Sequence, residues 1–351
     1  MMASGIVNSK KRLNYWVLLS LTGILCLVLL ISLTKGAYSL ELMEVLAILT
    51  RSLGLDLAGF ESRSAGVLLQ IRLPRILLAV LVGGGLGIAG AALQGLFRNP
   101  LVEPGLIGVS SGSALFAVIF LVLLPSIVDN FPLLADFGLP MFAFLGGLFH
   151  VLAVYYLGTG NGGGNTATII LAGVAINAMA GALIGLTLFY ADDAALRSFT
   201  FWSLGDLSGA SWGKLPIAAI FICIPSLLLM RGAKNLNAMA LGEKEAFYMG
   251  VNVKRTKVIL LVATALIVGV AVSLSGMIGF VGLIVPHLMR ISFGADHKLV
   301  LPGSFLLGAI LLNFSDLLAR TIAIPAEMPI GVITSLLGAP FFMGLIYNLK
   351  K

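Results

Sequence analysis

Long apolar runs dominate the chain, and short polar segments separate them. A membrane-spanning helix needs about 20 such residues to cross the hydrocarbon core of a bilayer. Ten runs approach or reach that length, near residues 15–34, 76–97, 106–127, 139–157, 168–190, 215–230, 258–279, 280–293, 301–319 and 328–349. Because the runs lack the alternation of lipid-facing strands, they predict an all-α, polytopic membrane protein. The boundary between the runs at 258–279 and 280–293 is weakly marked, so nine spans are the alternative.

The composition supports this class. Hydrophobic residues make up 59% of the chain and charged residues 11%, with a mean hydropathy of +1.07. Such a chain cannot cover a soluble surface with polar groups. We predict a single transmembrane domain over residues 1–351, with a cytoplasmic amino terminus at 1–14 and a long cytoplasmic loop at 231–257.

The distribution of basic residues predicts the orientation. With ten spans and a cytoplasmic amino terminus, 14 of the 22 Lys and Arg residues fall on the cytoplasmic side. This excess follows the positive-inside rule and places both termini in the cytoplasm. The net charge of +7 is therefore interpreted as a topology signal, and nucleic acid is not an expected partner.

Small residues recur every four positions in three of the runs, which is typical of helices that pack closely. Polar members of such a stripe need a partner or a wet cavity, so the fifth and last runs are candidates for lining a translocation pathway. The second run carries Gly83, Gly87, Ala91 and Gly95; the fifth carries Gly173, Asn177, Gly181 and Gly185; the last carries Gly331, Ser335 and Ala339.

Several kinds of chemistry lack the residues they need. Acidic residues fall almost entirely outside the spans, whereas an ion-driven carrier needs an ionisable relay near mid-membrane. No phosphate-binding P-loop motif occurs. His150, His287 and the loop residue His297 have no second ligand at helical spacing, and Cys26 and Cys223 stand alone in apolar runs. We therefore expect no metal or other cofactor in this chain, and either a passive pore or a transporter that a separate ATPase drives.

The loop at 231–257 is the longest predicted cytoplasmic connection. Residues 237–241 and 243–249 can each form a short helix, with Gly242 between them and Gly250 as a stop. Two such helices could form a compact knob that carries force into the bundle. A solvated loop with helical turns is the alternative.

Six motifs resemble those of the permease subunits of type II ABC importers, the family that imports haem, ferric siderophores and cobalamin. They appear in order from residue 72 to the carboxyl terminus. The motifs are RLPR (72–75), FRNPLVEPGLIGVSSG (97–112), LAGVAIN (171–177), ALGEKEAFYMGV (240–251), SGMIGFVGLIVPHLMR (275–290) and EMPIGVITSLLGAPFF (327–342).

The resemblance implies a homodimer of ten-helix subunits with the pathway at the dimer interface. Two ATPase subunits, which bind ATP and Mg, would lie on the cytoplasmic side, and a periplasmic or extracellular binding protein would dock outside. The site residues that it implies fall into three groups. Coupling to the ATPase is assigned to Ala240, Leu241, Gly242, Glu243, Glu245, Ala246, Met249 and Gly250; binding-protein docking to Arg72, Arg75 and Arg320; and a cytoplasmic gate to Asn99, Leu101, Asn165 and Thr166.

Two segments also suggest the cargo. LVEPGLIGVSSGSAL and the outer segment SFTFWSLGDLSGASW (198–212) look most like the haem-importing branch. The expected function is haem import across the bacterial cytoplasmic membrane. Ferric siderophore or cobalamin import is the alternative, and an ion-coupled secondary carrier is a more distant one.

Overall fold

The computed structural model describes residues 2–52, 61–125, 131–159 and 166–349, and within them all regular structure is helical. A 3₁₀ turn, Pro104–Ile107, precedes α4. The helices are α1 Met2–Thr34, α2 Leu42–Ser52, α3 Ser62–Phe97, α4 Val109–Leu123, α5 Pro132–Thr159, α6 Thr166–Phe189, α7 Asp193–Ser203, α8 Leu215–Arg231, α9 Ala233–Leu241, α10 Glu243–Tyr248, α11 Val253–Ser275, α12 Val281–Phe293, α13 His297–Thr321 and α14 Ile330–Leu349.

Each of the ten predicted runs overlaps one of these helices. In the described chain, six helices are long and apolar enough to cross a membrane: α1, α3, α5, α6, α11 and α13. The pair α8 and α9 makes a seventh if it is one span, bent by 49°. α4, α12 and the first part of α14 are shorter apolar helices. The predicted all-α, polytopic fold is confirmed.

Helix α3 forms the centre of the bundle and packs against α13, α11, α12 and α8. A Cβ atom added at Gly83 would lie 2.4 Å from the carbonyl oxygen of Gly308, and one added at Gly87 would lie 2.2 Å from that of Ser304. Only glycine permits α3 and α13 to approach this closely. The close packing predicted for the second run is confirmed.

The predicted boundary between the seventh and eighth runs is wrong. Helix α11 ends at Ser275 instead of residue 279, and α12 begins at Val281. Gly276 has φ +67°, and a Cβ atom there would lie 2.0 Å from the carbonyl oxygen of Trp202. The backbone leaves the helix here because it packs directly against the end of α7.

Two helices, α2 and α7, were not among the predicted elements because each is only 11 residues long. The buried side chains of α2, Val45 and Ile48, pack in one cluster with Leu68 and Ile76 of α3. Helix α7 begins after Asp192, whose Oδ1 accepts a hydrogen bond from the backbone N–H of Ala195 at 2.7 Å. This side chain is an N-cap.

Candidate translocation pathway and coupling segment

A groove of about 620 Å³ runs between the end of α7, the α11–α12 break and α14. It contains the predicted pathway residues Gly331 and Ser335. Its lining residues include no Asp, Glu, Lys or Arg, so the groove offers small, apolar and hydroxyl groups. They are Ser203, Leu204, Met277, Gly279, Gly331, Val332, Ser335, Leu336 and Ala339.

The wall of this groove depends on a close contact between α14 and the end of α7. The backbone N–H of Gly331 donates to the carbonyl oxygen of Leu204 at 2.9 Å, and that of Ile330 donates to Gly205 at 3.1 Å. A Cβ atom at Gly331 would lie 2.3 Å from the oxygen of Leu204. Gly331 is thus required for this packing, whereas the half-buried Ser335 lines the open part of the groove.

The predicted pathway residues of α6 have different surroundings. Asn177 donates from Nδ2 to the carbonyl oxygen of Gly105 at 3.3 Å, and its Oδ1 accepts from Ser111. Gly173 is buried, whereas Gly181 is exposed with open space where a Cβ would be. The stripe of small residues on α6 is therefore packed in its first half and exposed in its second half. The pathway role of these three residues stays a prediction.

The predicted gate residues Asn99 and Leu101 occupy an ordered, exposed turn after α3. Arg98 ends the helix in the left-handed conformation at φ 51°. The side chain of Asn99 then accepts a hydrogen bond from the backbone N–H of Leu101 at 2.9 Å. Thr166 is the first residue of α6, and Asn165 lies outside the described residues. The gate role stays a prediction for all four.

The loop at 231–257 forms the two predicted helices, as α9 and α10. Gly242 separates them at φ +146°, and Gly250 follows α10 at φ +84°; both angles lie where glycine is favoured. Of the predicted coupling residues, Gly242 and Ala246 are buried, Glu243 is half-buried, and Ala240, Glu245 and Gly250 are exposed. A set of large apolar side chains is between 62% and 86% exposed: Leu241, Phe247, Tyr248 and Met249.

Glu243 connects this knob to two helices of the bundle. Its carboxylate accepts from Nζ of Lys257 in α11 at 2.7 Å and lies 3.7 Å from Nη2 of Arg98 at the end of α3. Because Arg98 directly precedes Asn99, one side chain links the start of α10 to the predicted gate turn.

Helix α9 is bound to the start of α13. The side chain of Asn237 donates to Oδ1 of Asp296 at 2.8 Å, and its Oδ1 accepts from the backbone N–H of His297 at 2.9 Å. His297 is 4% exposed, and its Nδ1 lies 2.8 Å from the same oxygen. His297 was predicted to lie in a loop, and that prediction is wrong. It is the first residue of α13, and its ring packs beside Gly95.

Three arginines form a buried cluster away from Arg98: Arg72 and Arg75 lie in the first half of α3, and Arg320 lies at the end of α13. Arg75 donates from Nε to Asp316 at 2.9 Å and from Nη1 to Glu327 at 2.7 Å. Arg320 donates from Nε to the other oxygen of Asp316 at 2.9 Å and from Nη2 to Oγ of Ser32 at 2.6 Å.

The third arginine of this cluster bonds to backbone groups. Arg72 donates from Nη1 to the carbonyl oxygen of Leu33 at 2.6 Å and from Nη2 to that of Tyr38. Arg72, Arg75 and Arg320 are only 4–6% exposed. The cluster thus joins the ends of α1 and α13 to the first half of α3.

The comparison with known proteins agrees with these features. The model of the FecCD transport family matches residues 24–348. The chain belongs to this family. It is an ABC importer permease, a transport subunit that is not an enzyme by itself, and the resemblance drawn from its motifs is confirmed.

Two relatives of this chain have names that state different cargoes. The hemin transport system permease protein HmuU of Yersinia pestis is 48% identical over 283 residues, 81% of this chain and 84% of the relative. The cobalamin import system permease protein BtuC of Halobacterium salinarum is 42% identical over 276 residues, 79% of this chain and 72% of the relative.

A solved structure gives the same fold. It is described as an inward-facing conformation of a protein assigned to the metal-chelate type of ABC transporters. It matches with a TM-score of 0.81 and 33% identity, over 95% of this chain and 99% of that one. The architecture of this chain is thus that of an ABC importer permease.

The burial of the arginines changes the interpretation of their role in this FecCD chain. A docking residue has to present its guanidinium group to a partner, whereas Arg72, Arg75 and Arg320 already use theirs within the chain. Direct docking stays a prediction that the described conformation does not favour. The contacts support a positioning role, in which the arginines hold the ends of α1 and α13 against the first half of α3.

Sequence reasoning missed two residues of this site. Asp316 is fully buried and neutralises two arginines, and its spacing of four residues from Arg320 on one helix was an available signal. Gln94 was also missed: its Nε2 donates to the carbonyl oxygen of Leu283 at 3.2 Å, and its Oε1 accepts from Arg290. No local pattern links Gln94 to residues nearly 200 positions away.

Proposed function

We propose that this FecCD permease translocates haem across the bacterial cytoplasmic membrane by alternating access, driven by a separate ATPase. The observation that carries the proposal is the groove of about 620 Å³ along α14. Its walls are apolar with two serine hydroxyls and no charged side chain, which suits a large, flat and mostly apolar cargo. The HmuU relative, whose described cargo is hemin, supports the choice of haem.

The permease works as a homodimer in this proposal, with the two grooves facing each other. Helices α6 and α14 support it because they leave large apolar side chains exposed, including Leu171, Met179, Leu336 and Met343, each at least 63% exposed. A second copy would cover part of this surface. The groove lies beside Leu336, so dimerisation would close it into a central pathway.

The ATPase subunits bind the exposed side chains of α10 in this proposal. Phe247, Tyr248 and Met249 form an apolar patch on the knob, which is typical of a surface that a partner covers. Force on α10 then reaches the gate turn through Glu243 and Arg98, and reaches α13 through α9, where Asn237 binds His297. Both termini are cytoplasmic in this arrangement, on the same side as the ATPase.

A binding protein docks at the opposite end of the bundle. The buried arginine cluster supports this placement because it fixes the ends of α1 and α13 against the first half of α3. A rigid surface lowers the entropy lost on docking. Glu327, with 46% of its side chain exposed, is the member of the cluster that reaches that surface.

Cobalamin is the second candidate cargo, since the BtuC relative is 42% identical. Ferric siderophores form a third class within the same kind of importer. An ion-coupled carrier is disfavoured because the one fully buried carboxylate in the described residues, Asp316, is held by two arginines. It is therefore not a free proton or sodium relay.

The cargo is tested in proteoliposomes that contain this permease with its cognate ATPase and binding protein. ATP is placed in the compartment that faces α10. Haem, a ferric siderophore and cobalamin are each supplied, in separate experiments, on the opposite side of the membrane. We expect ATP-dependent uptake of haem above that of the other two. Uptake of cobalamin or of the siderophore without haem would reassign the cargo, and uptake of none would contradict the proposal.

A further inference from the structure

Two apolar clefts flank the first half of α11, one on each side, and both contain Val258 and Val262. The first, about 260 Å³, lies against α8; the second, about 240 Å³, lies against α5 and α6. Neither has a charged lining residue. The other lining residues are Pro225, Leu228, Ile259, Ala263 and Leu266 in the first cleft, and Val151, Leu152, Val154, Tyr155, Ile169 and Leu261 in the second.

A third pocket, of about 350 Å³, lies at the start of α11 and is basic. It is lined by Asn252, Lys254 and Arg255 together with Val258 and Ile259. Val258 and Ile259 also line the cleft against α8, so the basic pocket and that cleft form one continuous groove. The valine is shared with the second cleft as well. Both apolar clefts thus begin at the same basic end.

The length of this surface fits one leaflet of a bilayer. From Asn252 to Leu266 the helix rises by about 21 Å, at about 1.5 Å per residue. Half of a hydrocarbon core is about 15 Å thick, and the interfacial region adds several ångströms. The basic pocket then lies at headgroup depth and the two clefts lie at acyl-chain depth.

The charges at the basic end are available to a ligand. Lys254 and Arg255 are exposed. The nearby carboxylate of Glu243 is paired with Lys257 and Arg98 instead. Arg231 ends α8, one turn beyond the cleft residue Leu228. The two helices that form the groove therefore both carry positive charge at the end that lies on the side of α10.

We infer that this surface binds one anionic diacyl phospholipid in the leaflet on the side of α10. Its headgroup contacts Lys254 and Arg255, and its two acyl chains occupy the two clefts on either side of Val258 and Val262. The two clefts match the two chains, and the basic residues match the charge that distinguishes an anionic from a zwitterionic lipid. The inference does not depend on the cargo or on the ATPase.

Native mass spectrometry of the purified permease tests the headgroup. Phosphatidylglycerol and phosphatidylcholine with identical acyl chains are added in equal amounts, and the bound fraction of each is measured. We expect a clear preference for phosphatidylglycerol. The double variant K254Q/R255Q should lower that preference roughly thirtyfold, since each of the two basic groups contributes about 1 kcal/mol to binding of anionic lipid and about 1.4 kcal/mol corresponds to a factor of ten.

A matched variant controls for the loss of charge. K234Q/K298Q removes two exposed positive charges from α9 and the start of α13, outside the groove, and should keep the preference. A second variant, V262W, enlarges a side chain that lines both clefts and should reduce binding of both lipids. Equal binding of the two lipids by the unaltered permease would overturn the inference. So would a preference that K254Q/R255Q and K234Q/K298Q change equally, or V262W binding both lipids as tightly as the unaltered chain does.

Discussion

Arg75 of α3 donates a hydrogen bond from Nε to Asp316 of α13 at 2.9 Å, and no part of the Asp316 side chain is exposed. The same carboxylate accepts from Arg320 at 2.9 Å. One negative charge thus holds two buried positive charges, one from α3 and one from α13. Such a centre is costly to break, because removal of one member leaves the others buried without compensation.

The substitution Asp316→Asn should therefore destabilise the permease strongly. We expect a loss of about 3–5 kcal/mol of stability, measured by thermal or denaturant unfolding of the purified protein in detergent. Glu327→Gln is the matched control, because this carboxylate pairs with Arg75 but is 46% exposed. It should cost less than about 1 kcal/mol. Equal effects of the two variants would contradict the assignment of Asp316 as the centre of the cluster.

The contact between α3 and α13 predicts a second effect on stability. Gly87→Ala places a methyl group 2.2 Å from the carbonyl oxygen of Ser304, so the helices must separate, at a cost of about 1–3 kcal/mol. Gly23→Ala in α1 is the control, because no atom outside its own helix lies within 4 Å of the added carbon. It should leave stability unchanged or raise it slightly. A melting temperature that falls equally in both variants would refute the packing argument.

The link through Glu243 predicts loss of coupling rather than loss of folding. Glu243→Gln removes the charge that binds Lys257 and Arg98. We expect more ATP hydrolysed per cargo molecule imported by the assembled transporter, with an unfolding temperature within a few degrees of the original. The exchange Glu243→Lys with Lys257→Glu restores an opposite-charge pair with α11 and should recover part of the coupling. If Glu243→Gln left the number of ATP molecules hydrolysed per imported cargo molecule unchanged, Glu243 would have no role in transmitting force from the ATPase.

The groove along α14 predicts a transport defect that is separate from assembly. Ser335→Trp fills part of the groove and should reduce cargo uptake while the permease still binds its ATPase. Ile220→Trp in α8 is the control, at a residue that is 54% exposed, does not line the groove and lies outside the proposed dimer surface. Full uptake by Ser335→Trp would exclude this groove from the pathway.

Local patterns were sufficient for the parts of the fold that depend on one segment at a time. The length of the apolar runs predicted the membrane helices. Gly242 and Gly250 predicted how the loop at 231–257 divides into two helices, because each glycine adopts a backbone angle that other residues avoid. The four-residue repeat of Gly83 and Gly87 predicted a close helix contact. The repeat did not say which helix would be the partner.

Features that depend on distant segments could not be predicted in the same way. The break at Gly276 exists because Trp202, 74 positions earlier, brings its carbonyl oxygen against that glycine. Arg75 is separated from Asp316 by 241 residues and from Glu327 by 252, so an exposed docking group and a buried ion pair are equally compatible with its sequence context. Asn177 was correctly identified as needing a partner, but its partners lie about 70 positions earlier, Gly105 in the 3₁₀ turn before α4 and Ser111 in the first turn of α4.

The central claim is that this permease does not energise transport itself, and proteoliposomes test it most directly. Three preparations are compared for haem accumulation against a concentration gradient: the permease alone with an imposed proton or sodium gradient, the permease with ATP, and the permease with its ATPase, binding protein and ATP. We predict accumulation only in the third preparation. Accumulation by the permease alone, with either source of energy, would contradict the account.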